Sequence, residues 1–287
     1  MSLINAMQLA ERIERGSAVR VADVRWYLNR PGEGRAAYAR GHIPGAIFLD
    51  VDTDLADAEG LGSPGRHPLP RPAEFARRLS QLGIGSQHFV VAYDDMGGIN
   101  AARLWWMLDD LGHRGGVAVL DGGLQAWQRA GLPLSSEEPS YPPARLELGD
   151  AWRRVTDRHE LAARLGAVTL LDARAPERYR GDVEPVDPLA GHIPTAVSAP
   201  TAGNMNADGE MLPVEALRER YSPFVSASGV VVSCGSGTTA CHDALAMRLA
   251  GLPDPILYAG SFSDWSRSGL PVTSGEEPGA PPQLDSP

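Results

Sequence analysis

Cysteine is scarce. Two residues, Cys234 and Cys241, occur in 287. So few thiols exclude a disulfide framework, their spacing is not C-x-x-C, and the histidines near them are too few for a zinc site. A reducing cytoplasm is the expected compartment. No apolar run approaches the length needed to cross a bilayer, so no membrane association is expected. The amino terminus, MSLINAMQLAERIERG, lacks the basic start and apolar block of a secretory signal. Positive charge is also in short supply: 26 Lys and Arg face 36 Asp and Glu, a formal net charge of −10. That balance argues against a nucleic-acid partner. It still leaves room for a small anion held in a local arginine pocket.

What the chain does contain is a repeat of itself. GHIPGA at 41–46 returns as GHIPTA at 191–196. Upstream, VADVR at 21–25 answers to LLDAR at 170–174, and FVVAYDD at 89–95 answers to VVVSCGS at 230–236. VLDGGLQAWQRAGLPL at 119–134 answers to LYAGSFSDWSRSGLPV at 257–272. Four blocks in one order, half a chain apart, mean a duplicated domain and not a solenoid. The expected division is a first domain over 1–135, a linker over 136–150, a second domain over 151–275 and a tail over 276–287. The linker assignment rests on the Pro, Ser and Glu content of SSEEPSYPPARLELGD at 135–150.

Each half alternates short apolar strands with amphipathic helices. VRVADV, FVVAYD, VAVLDGG, TLLDAR and GVVVSC read as strands, whereas PAEFARRLSQLGI, INAARLWWMLDDLGH, DRHELAARLG and PVEALRERYSPF read as helices. Strands separated by helices predict an α/β fold: in each domain a mostly parallel sheet covered by helices on both faces. Sites form at the carboxyl ends of such strands. Cys234 falls at such an end, between Ser233 and a loop of Gly235, Ser236, Gly237, Thr238 and Thr239 that opens a helix. Unpaired backbone N–H groups there, with the helix dipole, favour a thiolate over a thiol. A working thiol at this place has to be open to solvent.

The ordered blocks D-x-R, G-H-I-P-x-A, a cysteine loop after a strand, and G-x-x-x-W near G-L-P resemble the rhodanese family along nearly the whole chain. The resemblance implies two tandem rhodanese-like domains, the first catalytically inert and the second carrying a sulfur-accepting cysteine. Aligning VVAY with VVSC puts Tyr93 where Cys234 stands. The loop Cys234-Gly235-Ser236-Gly237-Thr238-Thr239 is similar to the C-G-S-G-V-T loop of 3-mercaptopyruvate sulfurtransferases, with Thr238 in place of valine. It has no charged side chain, which suits a donor whose charge lies away from its sulfur.

The implied chemistry is transfer of a sulfane sulfur through a Cys234 persulfide, from 3-mercaptopyruvate or, as the alternative, thiosulfate, to a thiol, a thioredoxin-like protein or cyanide. No metal or organic cofactor is expected. Cys234 and Ser236 are the candidate catalytic residues. Arg178 and the loop residues Gly235, Gly237, Thr238 and Thr239 are the candidates for holding the small anionic donor. In mercaptopyruvate enzymes two arginines hold the donor. The first fits Arg178, but the second falls at Val186, which leaves Arg180 or a first-domain arginine as substitutes. A first-domain histidine working with a serine like Ser236 fits His42, and the acid that would complete the set falls near Glu33 or Gly34. Duplication of G-H-I-P in both halves favours a structural role for His42 and His192, as it does for Asp23 and Asp172. Trp105, Trp106, Trp127 and Trp265 are expected in cores or at the domain interface.

Rival readings leave marks of their own. A C-x5-R phosphatase needs arginine six residues after its cysteine, where this chain has Ala240. A thiol redox sensor would pair Cys234 with Cys241, two helical turns apart. A non-catalytic sulfur-carrier or binding module would be indifferent to loss of Cys234.

Overall fold

The computed structural model describes residues 2–57 and 65–282. The described residues divide into two units. The first holds 2–57, 69–153 and 205–211. The second holds 65–68, 154–204 and 212–282. Two short segments therefore belong to the unit built mainly from the other half of the sequence.

In the first unit the strands are β1 (Leu3–Ile4), β2 (Val19–Asp23), β3 (Ala46–Phe48), β4 (Phe89–Tyr93) and β5 (Val117–Leu120), in the order β1-β5-β4-β2-β3. In the second they are β6 (Val155–Thr156), β7 (Thr169–Asp172), β8 (Ala196–Ser198), β9 (Val230–Ser233) and β10 (Ile256–Tyr258), in the matching order β6-β10-β9-β7-β8. All pairings are parallel. Parallel neighbours need crossovers, and helices supply them. The helices are α1 (Ala6–Glu14), α2 (Glu33–Arg40), α3 (Pro72–Gln81), α4 (Ala101–Asp110) and α5 (Gly123–Arg129), then α6 (Arg158–Arg164), α7 (Pro176–Arg180), α8 (Val214–Tyr221), α9 (Ala240–Leu249) and α10 (Ser261–Trp265). Every residue of β5 and β9 is buried, as a sheet covered on both faces requires.

Sequence chemistry sets the helix ends. Asn5 and Gln8 form a reciprocal capping box at the start of α1. Pro72 opens α3, where its missing N–H costs nothing. Trp127 and Trp265 fill equivalent cores, one against Leu9, Val91 and Leu124, the other against Leu161, Tyr179 and Phe262. Trp105 and Trp106 are also buried.

The D-x-R and G-H-I-P blocks act as one staple in each unit. The Asp23 carboxylate takes the Arg25 amide at 3.1 Å and its guanidinium, whose Nη2 donates onward to Gly41 O at 2.9 Å. Asp172 and Arg174 do the same, ending on Gly191 O at 2.6 Å. His42 faces Tyr38 O at 2.9 Å and Glu137 O at 3.1 Å, and its ring stacks on Tyr38. His192 repeats this with Tyr179 O at 2.8 Å, Glu277 O at 3.2 Å and the Tyr179 ring.

The expected linker over 136–150 has no regular secondary structure, yet its chain is laid along the first unit. Tyr141 Oη donates to Gly45 O at 2.9 Å, Ala144 N–H to Ser80 O at 2.9 Å and Ser86 N–H to Arg145 O at 3.0 Å. Proline here denies the segment a helix, not a place. The tail is likewise tied through Thr195 N–H to Pro278 O at 2.6 Å. Residues 283–287 of it lie outside the described residues.

Candidate active site

Cys234 follows the last residue of β9, and three loop contacts fix its main chain and that of Gly235. Its N–H donates to Ser261 Oγ at 3.0 Å, its carbonyl accepts the Phe262 N–H at 3.0 Å, and Gly235 O accepts the Ser263 N–H at 2.8 Å. Ser261 Oγ in turn donates to Tyr258 O at 2.8 Å. Gly237 has a φ of +78°, and a Cβ there would lie 2.3 Å from Ala259 O, so only glycine lets the loop close. That turn aims the Gly237 N–H at Cys234 Sγ, 3.1 Å away. The amides of Ser236 and Thr238 have no acceptor among the described residues. The buried Thr238 hydroxyl is unpartnered too. One donor on the sulfur and further open donors in the same loop are the makings of an anion cradle.

The first unit shows the same cradle filled. Ala173 N–H donates to Ser233 O, and the matching bond runs from Val24 N–H to Tyr93 O. Leu124 N–H donates to Asp94 O as Phe262 N–H does to Cys234 O. Register therefore places Tyr93 opposite Ser233 and puts Asp94, not Tyr93, where Cys234 stands. Alignment by letters alone was out by one residue. Tyr93 instead clips the core, its hydroxyl donating to Asp23 Oδ2 at 2.6 Å and accepting the Ile43 N–H at 3.1 Å. The Asp94 carboxylate accepts amides from Met96, Gly98, Asn100 and Ala101 at 2.7–2.9 Å. The loop geometry is thus one that binds a negative charge.

His42 is not the histidine at Ser236. Both its ring nitrogens are taken up by main-chain carbonyls within the staple. The histidine that meets Ser236 is His67, in the short segment that joins the second unit, with Nδ1 2.7 Å from Ser236 Oγ. His67 is buried. The candidate acid near Glu33 or Gly34 is also corrected: Glu33 pairs with exposed Arg40, and Gly34 is wedged against Arg25 O. Sequence reasoning missed His67 because its segment has no counterpart in the repeat.

Arg178 does reach the loop. Its Nη1 lies 3.4 Å from where a Gly235 Cβ would be, while Nε and Nη2 bond Glu184 at 3.2 and 2.6 Å. Arg66 lies over the same glycine, with Nη2 2.9 Å from that point. Arg180 turns away to Asp182. Val186 offers only its amide, to Glu184. Arg174 sits below, with its ring-facing guanidinium 3.9 Å over Phe262. Burial lowers its pKa, but Asp172, Glu184 and Cys234 more than offset this, so it is raised and the arginine stays charged.

Cys234 is 1% exposed, which departs from the expectation of an open thiol. Within the second unit, the guanidinium groups of Arg66 and Arg178 overhang the loop. A donor has to engage or displace these long, rotatable side chains to reach the sulfur. Cys241 points elsewhere, its Sγ donating to Gly237 O at 3.4 Å from within α9. Both cysteines are free thiols. Among the described residues no cluster of His, Cys, Asp and Glu could hold a metal ion, and no helix is long and apolar enough to cross a membrane.

Comparison with known proteins agrees with this geometry. The model of the rhodanese-like domain matches twice, over residues 5–130 and 157–268. A Pseudomonas aeruginosa protein named "Probable 3-mercaptopyruvate sulfurtransferase" is 45% identical over 280 residues, covering 96% of this chain and 98% of its own. The thiosulfate sulfurtransferase of Rattus norvegicus is 34% identical over 285 residues, covering 95% and 94%. The solved 3-mercaptopyruvate sulfurtransferase of Leishmania major superposes with a TM-score of 0.81 at 33% identity, over 92% of this chain and 74% of that one. The chain belongs to the rhodanese family and carries two rhodanese-like domains in tandem.

Proposed function

We propose that the chain is a sulfurtransferase that takes sulfur from 3-mercaptopyruvate onto Cys234 and passes it to a thiol, a thioredoxin-like protein or cyanide. The observation that carries this reading is the position of Cys234 Sγ just past the end of β9, where it accepts the Gly237 N–H at 3.1 Å in a loop whose Ser236 and Thr238 amides have no acceptor among the described residues. The Cys234 thiolate attacks the donor sulfur, and an S–S bond forms as the C–S bond breaks. The bonding pair leaves as the enolate of pyruvate, which takes up a proton. The second step reverses the roles: an acceptor thiolate attacks the outer sulfur and releases the Cys234 thiolate. Two half-reactions through a covalent enzyme predict ping-pong kinetics. The amides of residues 235–239 stabilise the persulfide anion. The Ser236 hydroxyl, 2.7 Å from His67 Nδ1 and two residues along the chain from Cys234, is the group that passes a proton in this reading. No metal or organic cofactor enters either step. Two free thiols suit work in a reducing cytoplasm.

Thiosulfate is the second reading for the donor, with sulfite as leaving group. Val186 favours it, because the second donor-binding arginine expected of mercaptopyruvate enzymes is missing there. Mass spectrometry after exposure to each donor tests the reaction class. A gain of one sulfur on the Cys234 peptide, absent in Cys234→Ser, is the expected result, and no gain with either donor rejects it. Comparing kcat/KM for the two donors then orders them.

A further inference from the structure

Two arginines, not one, present unfilled guanidinium edges over Gly235. Arg178 uses Nε and Nη2 on Glu184, and Nη2 also reaches Asp187 at 3.5 Å. Its Nη1 has no hydrogen bond among the described residues. Arg66 uses Nη1 on Asp187, while its Nε is buried without an acceptor and Nη2 lies over the loop. Asp187, whose side chain is fully buried, also takes Arg267 Nη1 at 2.8 Å. One carboxylate thus ties the backs of both guanidinium groups and leaves their front edges aimed at the residue next to Cys234. Arg66 is anchored as well through its main chain, where its N–H donates to Ser263 Oγ at 3.1 Å. A side chain at position 235 would strike Arg66 Nη2, so glycine keeps the space in front of the pair open.

We propose that Arg66 supplies the second anion-binding guanidinium that position 186 lacks, so that Arg66 and Arg178, braced by Asp187, clamp the carboxylate of the sulfur donor above Gly235. Four guanidinium groups, Arg66, Arg174, Arg178 and Arg267, face three carboxylates, Asp172, Glu184 and Asp187, so the surroundings of the Cys234 thiolate are not net negative and do not repel an anionic donor. Planar forks suit a carboxylate better than a point charge does. The inference deepens the sulfurtransferase reading and rests on it for the identity of the donor, but the clamp itself is an equilibrium property of the folded chain.

Its test is therefore binding of pyruvate, an unreactive keto acid, measured calorimetrically alongside steady-state kinetics with 3-mercaptopyruvate. Arg66→Gln is expected to weaken pyruvate binding about tenfold or more, the worth of one charge-assisted hydrogen bond. It should raise KM in parallel, with kcat changed little. Arg66→Lys should recover part of both. Val186→Arg added to Arg66→Gln should restore binding, a gain that a merely misfolded variant cannot give. Pyruvate binding that is absent in the wild type, or unchanged by Arg66→Gln, overturns the clamp. Pyruvate binding that depends on Arg66 while neither donor loads Cys234 upholds the clamp and rejects the sulfurtransferase instead.

Discussion

Ser261 accepts the Cys234 N–H at 3.0 Å while its own φ of +52° lies in the left-handed region. The equivalent residue of the first unit is Gly123, with a φ of +57°. A left-handed residue with a Cβ costs about 1–2 kcal/mol. The strain is kept only in the unit that carries the cysteine, and the hydroxyl is what glycine lacks. Ser261→Gly should relieve that strain while losing a hydrogen bond of about 1 kcal/mol, so its Tm should stay close to the wild type. Its kcat/KM should nevertheless fall about tenfold, the effect of roughly 1.4 kcal/mol in the transition state. Ser261→Ala keeps the strain, loses the bond and should lower both. Full activity in Ser261→Gly would show that the hydroxyl does not position Cys234.

Asp94 is the first unit's own anion. Four amides fill the acceptor sites of its two oxygens, which leaves no place for a proton. Burial raises its pKa above the ordinary carboxylate value, and the amides offset that rise only in part. Four donors argue for the ionised form. Asp94→Ala orphans all of them, at about 1–3 kcal/mol for each that water fails to reach. Denaturant unfolding should show a loss of more than about 3 kcal/mol, with persulfide formation on Cys234 preserved in the folded fraction. A loss under about 1 kcal/mol would mean the loop is indifferent to charge, and the parallel with the Cys234 cradle would fail with it.

The duplication, the parallel sheets and the place of Cys234 were all legible in the letters, because they depend on period, order and strand ends. Tyr93 and Asp94 mark where letters fail. VVAY and VVSC match by identity, but register is set by main-chain bonds such as Val24 to Tyr93 and Ala173 to Ser233, and these shift the match by one residue. Arg66 and His67 were hidden for another reason. They lie about 170 residues from Ser236 in the chain, and in a segment that no repeat block covers. Neither period nor spacing can signal a contact of that range.

His67 and Ser236 form a pair whose ends should fail together. His67→Gln and Ser236→Ala should each reduce kcat, by about 100-fold if the pair handles a proton, with the donor KM little changed. The double variant should be no worse than either single one, since both remove the same 2.7 Å contact. Multiplying losses would show that the two residues act apart.

Asp243 gives the second unit a measurable pH dependence. It lies on α9, the helix that follows the Cys234 loop, fully buried, with Oδ1 accepting Asn204 Nδ2 at 2.8 Å and Oδ2 unpartnered among the described residues. Burial pushes its pKa up to about 7, while Asn204, Tyr221 and Arg220 pull it down and Asp172 adds to the rise. His242 Nδ1 also faces Asn204, at 3.2 Å. A carboxyl raised on folding gives up its proton first in the unfolded chain. Its contribution to stability is therefore intact below about pH 4, falls as pH rises towards 7, and is level above that. The shift corresponds to on the order of 4 kcal/mol as an upper bound, since one unit is worth about 1.4. Asp243→Asn cannot ionise, and its amide oxygen can still accept from Asn204. Urea unfolding across this range should show the variant gaining on the wild type as pH rises from 4 to 7 and holding a constant difference beyond. Parallel stability curves would mean that Asp243 titrates alike in the folded and unfolded chains.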